Sequence, residues 1–405
     1  MDRRRLFTIF AIVLIDMIGF SIVLPLLPYY ARSFGASDVV IGLMFAAYPA
    51  AQLVAAPILG RWSDRFGRRP ILLLSIFGTF VGFLVLGFAG TTWMLFLSRI
   101  IDGSTGGNIT VAQAYISDVT DESSRGQALG LIGAAFGLGF ILGPVTGGLL
   151  SQFGYGVPAF FAAGLTAVNL LAVYFLLPES LTAETKARLA EQPHRPIIDI
   201  RGMAEALRHP RVGPLLWLRL DTGLAFSMFE TGFSLWALKA LGLTAQGNGL
   251  VLGYVGVLSV LIQGLGIGQL TRRFSDARLI VGAIVLGGVS LMAWSVSPTV
   301  AVLLVVMVPL ALGLAVSNTI QQSALSKSVY PEEVGGVFGL STSILGLTRI
   351  VAPVLAAVLL DRFGTWSPGV FAGLTVLLIA PYAYRHLISH PAPALPEREA
   401  VTTSR

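Results

Sequence analysis

The sequence predicts an all-α membrane protein of twelve transmembrane helices, arranged as two parallel-repeat six-helix bundles. Three observations predict it: an apolar composition, a one-sided distribution of positive charge, and an internal repeat about half a chain long. Of 405 residues, 55% are hydrophobic and 12% charged, about half the charged share of soluble globular chains. Mean hydropathy is +0.79. That apolar content fills about twelve spans of roughly 20 residues each and leaves almost nothing for a soluble domain. The chain has no cysteine, which excludes disulfides, thiolate metal sites and cysteine nucleophiles. With only four histidines, His194, His209, His386 and His390, no metal centre and no cofactor are expected. The net charge of +6 does not point to nucleic acid, because the basic residues sit in short runs between apolar stretches.

The chain opens Met1-Asp2-Arg3-Arg4-Arg5 before an apolar run, as a signal peptide does. The run continues to Tyr30, past the roughly 7–15 residues of such a segment. It also holds Asp16, Pro25 and Pro28, so it reads as the first span. Hydropathy places the spans near 6–30, 39–60, 70–90, 93–118, 127–152, 157–177, 213–238, 247–270, 279–297, 300–325, 336–360 and 366–388. Residues 1–177 form the first bundle and 213–390 the second. The polar stretch 178–212 reads as a linker with a short amphipathic helix over Ile200–Arg208. The tail 391–405 reads as disordered.

Charge sets the orientation. Arg32, Lys239 and Arg362 fall on one side of the membrane, and Arg99, Arg219 and Arg349 fall within spans. All the other Lys and Arg fall on the opposite side, which places both termini and the linker in the cytoplasm of a cell whose inner membrane holds the chain. The halves repeat in register. Phe34-Gly35 matches Leu241-Gly242 at an offset of 207, Gly60–Arg69 matches Gly268–Ala277 at 208, and Phe153-Gly154 matches Phe363-Gly364 at 210. Parallel repeats of this kind surround a central site in one class of transporter.

Several motifs carry a family resemblance. Gly60-Arg-Trp-Ser-Asp64-Arg-Phe-Gly67-Arg68-Arg69-Pro70 resembles the signature loop of the major facilitator superfamily. Gly19-x5-Pro25-x2-Pro28 resembles the first-helix pattern of its twelve-helix drug:proton antiporters. Gly139-x3-Gly143-Pro144-x2-Gly147-Gly148 resembles their fifth-helix signature, and Ala114–Asp121 is similar to tetracycline-efflux proteins. The resemblance runs through the whole chain. It implies the major facilitator fold, a small-molecule cargo, protons as the coupling ion, a lipid bilayer, and a monomer that binds no nucleic acid.

The residues permit specific roles. In the loop, Gly60 and Gly67 allow close approach and positive φ. Asp64 suits the positive N-terminus of another helix, and the eleventh span, starting near Gly335-Gly336, is the expected partner. Arg68 is a cation for Asp118. Together these five residues are expected to latch the halves. Gly139, Gly143, Gly147 and Gly148 make a small-residue stripe, with Pro144 bending the helix. The stripe is expected to seal against the eighth span.

Charges inside spans mark ion or cargo pathways. Asp16 and Glu230 lead as proton carriers. Asp102 is three residues from Arg99 and is read equally as a structural ion pair or a relay. Arg349 is expected to balance Asp16 or Glu230. Arg219 and Asp221 lie near a span end, where snorkelling to the cytoplasm is expected. Cargo contacts are expected from Gln52, Asn108, Gln113, Asn318 and Gln321, and from an aromatic face of Phe226, Phe229 and Phe233. Each phenylalanine is read first as packing. No ATP-binding loop occurs. The reading is therefore a proton-driven exporter of small amphipathic compounds, possible tetracyclines among them. Against it stand a transporter of a metabolite, sugar or siderophore on the same fold, a non-transporting receptor or scaffold, and a membrane enzyme, for which no catalytic set is present.

Overall fold

The computed structural model describes residues 3–190, 200–330 and 333–390. Among these residues every regular element is helical. Ten helices are long and apolar enough to cross a membrane. The fourth and seventh spans complete the series in another way. The fourth is broken into Thr92–Ser104 and Asn108–Val119. The seventh, Gly213–Leu241, is 29 residues long but carries Arg219, Asp221 and Glu230. In order the remaining spans are Phe7–Ser33, Asp38–Phe66, Arg68–Gly87, Glu122–Leu150, Gly156–Leu176, Ala245–Arg273, Asp276–Ser295, Val300–Lys327, Val334–Phe363 and Ser367–Ser389.

The repeat has a backbone signature. Gly35 and Gly242 both have positive φ, 76° and 60°, as do Gly154 and Gly364, 119° and 90°. Each follows the end of a helix, where a left-handed residue ends the hydrogen-bond ladder and glycine takes it without strain. Gly67, at φ 116°, breaks the symmetry. Its counterpart Ser275 has φ −68° and precedes its helix in extended conformation.

Helices pack mainly within each set of six, and the two sets meet mainly along two pairs, the second with the eleventh and the fifth with the eighth. Where these pairs touch, small residues bring backbones together. A Cβ on Gly42 would lie 2.8 Å from the Pro353 carbonyl, and one on Gly249 would lie 2.3 Å from the Pro144 carbonyl. These contacts lie toward the end of the bundle away from the Gly60–Pro70 loop, called here the far face. Toward the loop face the halves part. Among the described residues, Gly264, Gly268, Gly335, Gly336 and Gly339 have no neighbour within 4 Å of a Cβ position. The bundle is therefore open toward the loop face and closed at the far face.

The linker contains the expected helix Ile200–Arg208 and a second one, Ala183–Ala190. Residues 191–199 and the tail 391–405 lie outside the described residues.

Candidate functional site

The interior of the first half gathers its charges. Asp16, midway along the first span, is buried and accepts a hydrogen bond from Asn108 Nδ2 at 2.6 Å. Asn108 is the first residue of the second piece of the fourth span, so the break in that helix presents its amide to the carboxylate. Arg99 and Asp102 are 2% and 3% exposed and form an ion pair at 3.3 Å. The pair leaves capacity over, because Arg99 Nη2 has no hydrogen-bond partner. Asp16 and Asp102 lie near enough for their charges to interact.

Tyr48, on the second span, is the member that sequence reasoning missed. It lies within electrostatic reach of Asp16, Asp102 and Arg99, and of Arg349 across the interface. Its hydroxyl accepts from Gln52 Nε2 at 3.2 Å, and the same amide group donates to the Gly106 carbonyl at 2.9 Å. Gln52 thus caps the broken fourth helix. The signal available in the sequence was spacing alone: Tyr48 precedes Gln52 by one helical turn.

The expected aromatic face does not form. Phe229 and Phe233 are 4% and 0% exposed. They pack on Trp294 with ring centroids at 5.1 and 6.2 Å, and Phe233 packs on Trp236 at 5.9 Å. They are core, leaving Phe226 exposed by itself. Gln321 is also internal. Its Nε2 donates to Ser317 Oγ at 2.6 Å, and Thr222 donates to its Oε1 at 3.4 Å. Gln113, Asn318 and Arg349 are exposed and Glu230 is half-buried. Among the described residues neither Glu230 nor Arg349 joins a salt bridge, and the structure does not bring the two together. Arg219 is not snorkelled: it is 5% exposed and donates from Nη1 to the Asn318 carbonyl at 3.4 Å.

At the loop face, half of the expected latch is assembled. Arg68 Nε donates to Asp118 Oδ2 at 3.0 Å, and its Nη1 donates to Ser63 Oγ at 2.7 Å and to Asp64. Among the described residues Asp64 makes no bridge to the eleventh span: it pairs with Arg68 of its own half, and a Cβ on Gly335 or Gly336 would have none of them within 4 Å. Gly60 has only Thr110 near it, at 3.9 Å from a Cβ position. The linker supplies what the sequence did not announce. Glu179 accepts from the backbone N–H groups of Arg68 and Arg69, at 2.9 and 3.2 Å, and so caps the third span with a negative charge. Ser180 donates to Asp118 at 2.8 Å, and Lys186 donates to the Phe66 carbonyl at 3.2 Å. A Cβ on Gly67 would lie 2.3 Å from Glu179 Oε2.

The fifth-helix stripe faces a different partner from the one expected. Cβ atoms on Gly139, Gly143 and Gly147 would meet Met17, Ser21 and Ile22 of the first span at 2.7, 2.0 and 2.5 Å. Ser21 Oγ donates to the Gly139 carbonyl at 2.7 Å. Gly148, one position further round the helix, meets Ala245 at 3.1 Å, and the Pro144 carbonyl meets Gly249. The seal on the eighth span is thus carried mainly by that helix's own glycines.

At the far face one acid joins the halves. Asp38, 1% exposed, is paired with Arg32 of its own half and with Lys239 of the other. Asn248 Nδ2 adds a bond to the Pro25 carbonyl at 3.2 Å.

The sequence profile of the Major Facilitator Superfamily matches residues 9–344 and 220–404. A class E tetracycline resistance protein of Escherichia coli is 31% identical over 402 residues, 96% of this chain and 97% of that protein. Multidrug resistance protein 2 of Bacillus subtilis (strain 168) is 27% identical, over 92% of this chain and 93% of its own. Among solved structures, the nucleoside transporter NupG superposes with a TM-score of 0.78 at 14% identity, covering 93% of this chain and 98% of that one.

Proposed function

Because this chain belongs to the major facilitator superfamily, we propose that it exports small amphipathic, drug-like compounds from the cytoplasm in exchange for protons. The observation that carries the proton half of this reading is Asp16, a buried carboxylate held by a neutral amide beside a second buried acid. A charge is costly in a spanning helix unless it serves a pathway. The drug half is supported by the full-length likeness to proteins named for tetracycline and multidrug resistance. The nucleoside transporter supports the fold alone.

In this reading the loop face is cytoplasmic and the open state awaits cargo. Both termini lie on that side of the inner membrane, and the monomer works as two bodies, 1–177 and 213–390, joined by 178–212. Cargo enters between the halves past Gln113, Asn318 and Phe226. Rocking closes the loop face, where Asp64 reaches the eleventh span, and opens the far face, where Asp38 parts from Lys239. Asp16 then exchanges its proton, with Tyr48 and Arg349 sensing the change across the interface.

The test is a growth-inhibition panel with and without expression, followed by transport in proteoliposomes under an imposed pH gradient. Gradient-driven cargo movement that disappears in Asp16→Asn is expected. Cargo movement indifferent to the gradient would refute the exchange.

A further inference from the structure

The first helix of each half carries an acid inside its bundle. In the first half it is Asp16. In the second it is Asp221, on the seventh span. Asp16 is buried and Asp221 is half-buried, with its Oδ2 atom buried. Asp16 takes its hydrogen bond from the fourth helix, and Asn169 of the sixth helix lines the same small cavity. Thr375 of the twelfth span, the sixth helix of its own half, lies beside Asp221, while its hydroxyl donates to the Ala372 carbonyl at 2.9 Å. The partners are neutral in both cases.

Among the described residues no cation forms a salt bridge with Asp221. Arg219 is two residues away, about 200° round the helix, and its Nη1 is directed to the Asn318 carbonyl. Lys327 of the tenth span is held by Asp276 at 2.7 Å. Arg349 of the eleventh interacts with Tyr48. On the twelfth, His386 Nδ1 bonds the Tyr382 carbonyl at 3.0 Å. Glu230, further along the same helix as Asp221, adds no positive charge. Asp221 Oδ2 is buried with no hydrogen-bond partner. A charged carboxylate with a buried oxygen that lacks a donor is penalised by desolvation. A proton on the bare oxygen removes the charge without breaking any bond of the protein.

We propose that Asp221 is a second proton-binding site, so that each half of the transporter carries one proton through the cycle. The inference rests on the proton-exchange reading of Asp16 and extends it to the other half. Its consequence is stoichiometric. Each rocking motion moves a neutralised acid in both bodies, and the driving force per cargo molecule rises with the second proton.

Two measurements test it. In the first, tetracycline is added to purified full-length protein in weakly buffered detergent, and protons released per tetracycline bound are counted. Asp221→Asn is expected to release one proton fewer than the wild type, Asp16→Asn likewise, and Asp221→Glu the wild-type number. An unchanged count in Asp221→Asn overturns the second site while leaving Asp16 standing. No tetracycline-evoked release from the wild type overturns the exchange reading and this inference together. The second measurement needs neither cargo nor a variant. An apolar carbodiimide, which reacts with protonated carboxyl groups, is applied to wild-type protein in vesicles, and adducts are mapped by peptide mass spectrometry. Labelling at both Asp16 and Asp221 that declines as pH is raised is expected. Labelling at Asp16 with none at Asp221 overturns the proposal even if the asparagine variant fails to fold.

Discussion

Among the described residues Asp16 has one donor, Asn108, at 2.6 Å, and that contact governs what substitution at either position does. A hydrogen bond to a charged group contributes about 1.5–3 kcal/mol. Asn108→Leu is therefore expected to slow gradient-driven export by roughly 10- to 100-fold, while Asp16→Asn abolishes it; initial rates in proteoliposomes distinguish the two. Phe229→Ala belongs to another class. Its ring is buried against Trp294, so the expected effect is a loss of about 3–5 kcal/mol of stability, read as a lower melting temperature with cargo preference unchanged. A change of preference with normal melting would return Phe229 to the cargo site.

These residues also mark where reading the sequence stopped. Asp16, and the Arg99–Asp102 pair, were legible because charge in a span is expensive and spacing of three brings side chains together. For Phe229 and Phe233 packing is the first reading of each ring and they are buried, but their partner was not legible, because spacing along a helix says which residues share a side and not what lies opposite. Trp294 comes from the ninth span and is no neighbour in sequence. Arg219 and Asp221 were misplaced for a related reason. Snorkelling was argued from distance to the helix end, but the tenth and twelfth spans cover that end.

Among elements, the fifth helix shows how one stripe divides its work. Gly143→Leu forces a side chain into Ser21, which a Cβ alone would approach to 2.0 Å. Overpacking costs about 1–3 kcal/mol or more, and the expected outcome is a first half that assembles poorly, seen as low yield and early melting. Gly249→Leu pushes instead on the Pro144 carbonyl, across the interface. That variant is expected to fold and to leak protons, measured as faster collapse of an imposed gradient. The same division holds for the ionic contacts. Asp64→Asn weakens a contact that this conformation makes only within the first half, so insertion is retained while cycling slows. Lys239→Gln removes the other half's hold on Asp38. Both cations there are partly exposed, so the loss is about 1 kcal/mol, a shift of roughly fivefold toward opening at the far face. Distances between spin labels flanking the first and seventh spans report it.

At the scale of the molecule, the number of helices and their pairing into repeats were legible from hydropathy and from Gly35, Gly154, Gly242 and Gly364. The state was not. A sequence that supports both conformations of a rocking carrier carries the contacts of each, and only coordinates show which set is made. Here the far-face set is made and the loop-face set is not. Single-cysteine variants on the cysteine-free chain offer a direct check. A thiol at Gly335 is expected to react with a water-soluble maleimide in the resting protein, and one at Gly42 to resist it. Cargo together with an acid gradient should reverse the order.

The short stretch Pro178–Lys186 belongs, by its bonds, to the first half: Tyr115 donates to the Pro178 carbonyl at 3.0 Å, and Glu179, Ser180 and Lys186 hold the loop beside it. Two genes encoding fragments 1–190 and 191–405 are therefore expected to complement each other when co-expressed. Fragments parted at 177 and 178, about one dozen residues upstream, would separate the third span from its anionic cap and are expected to restore no resistance.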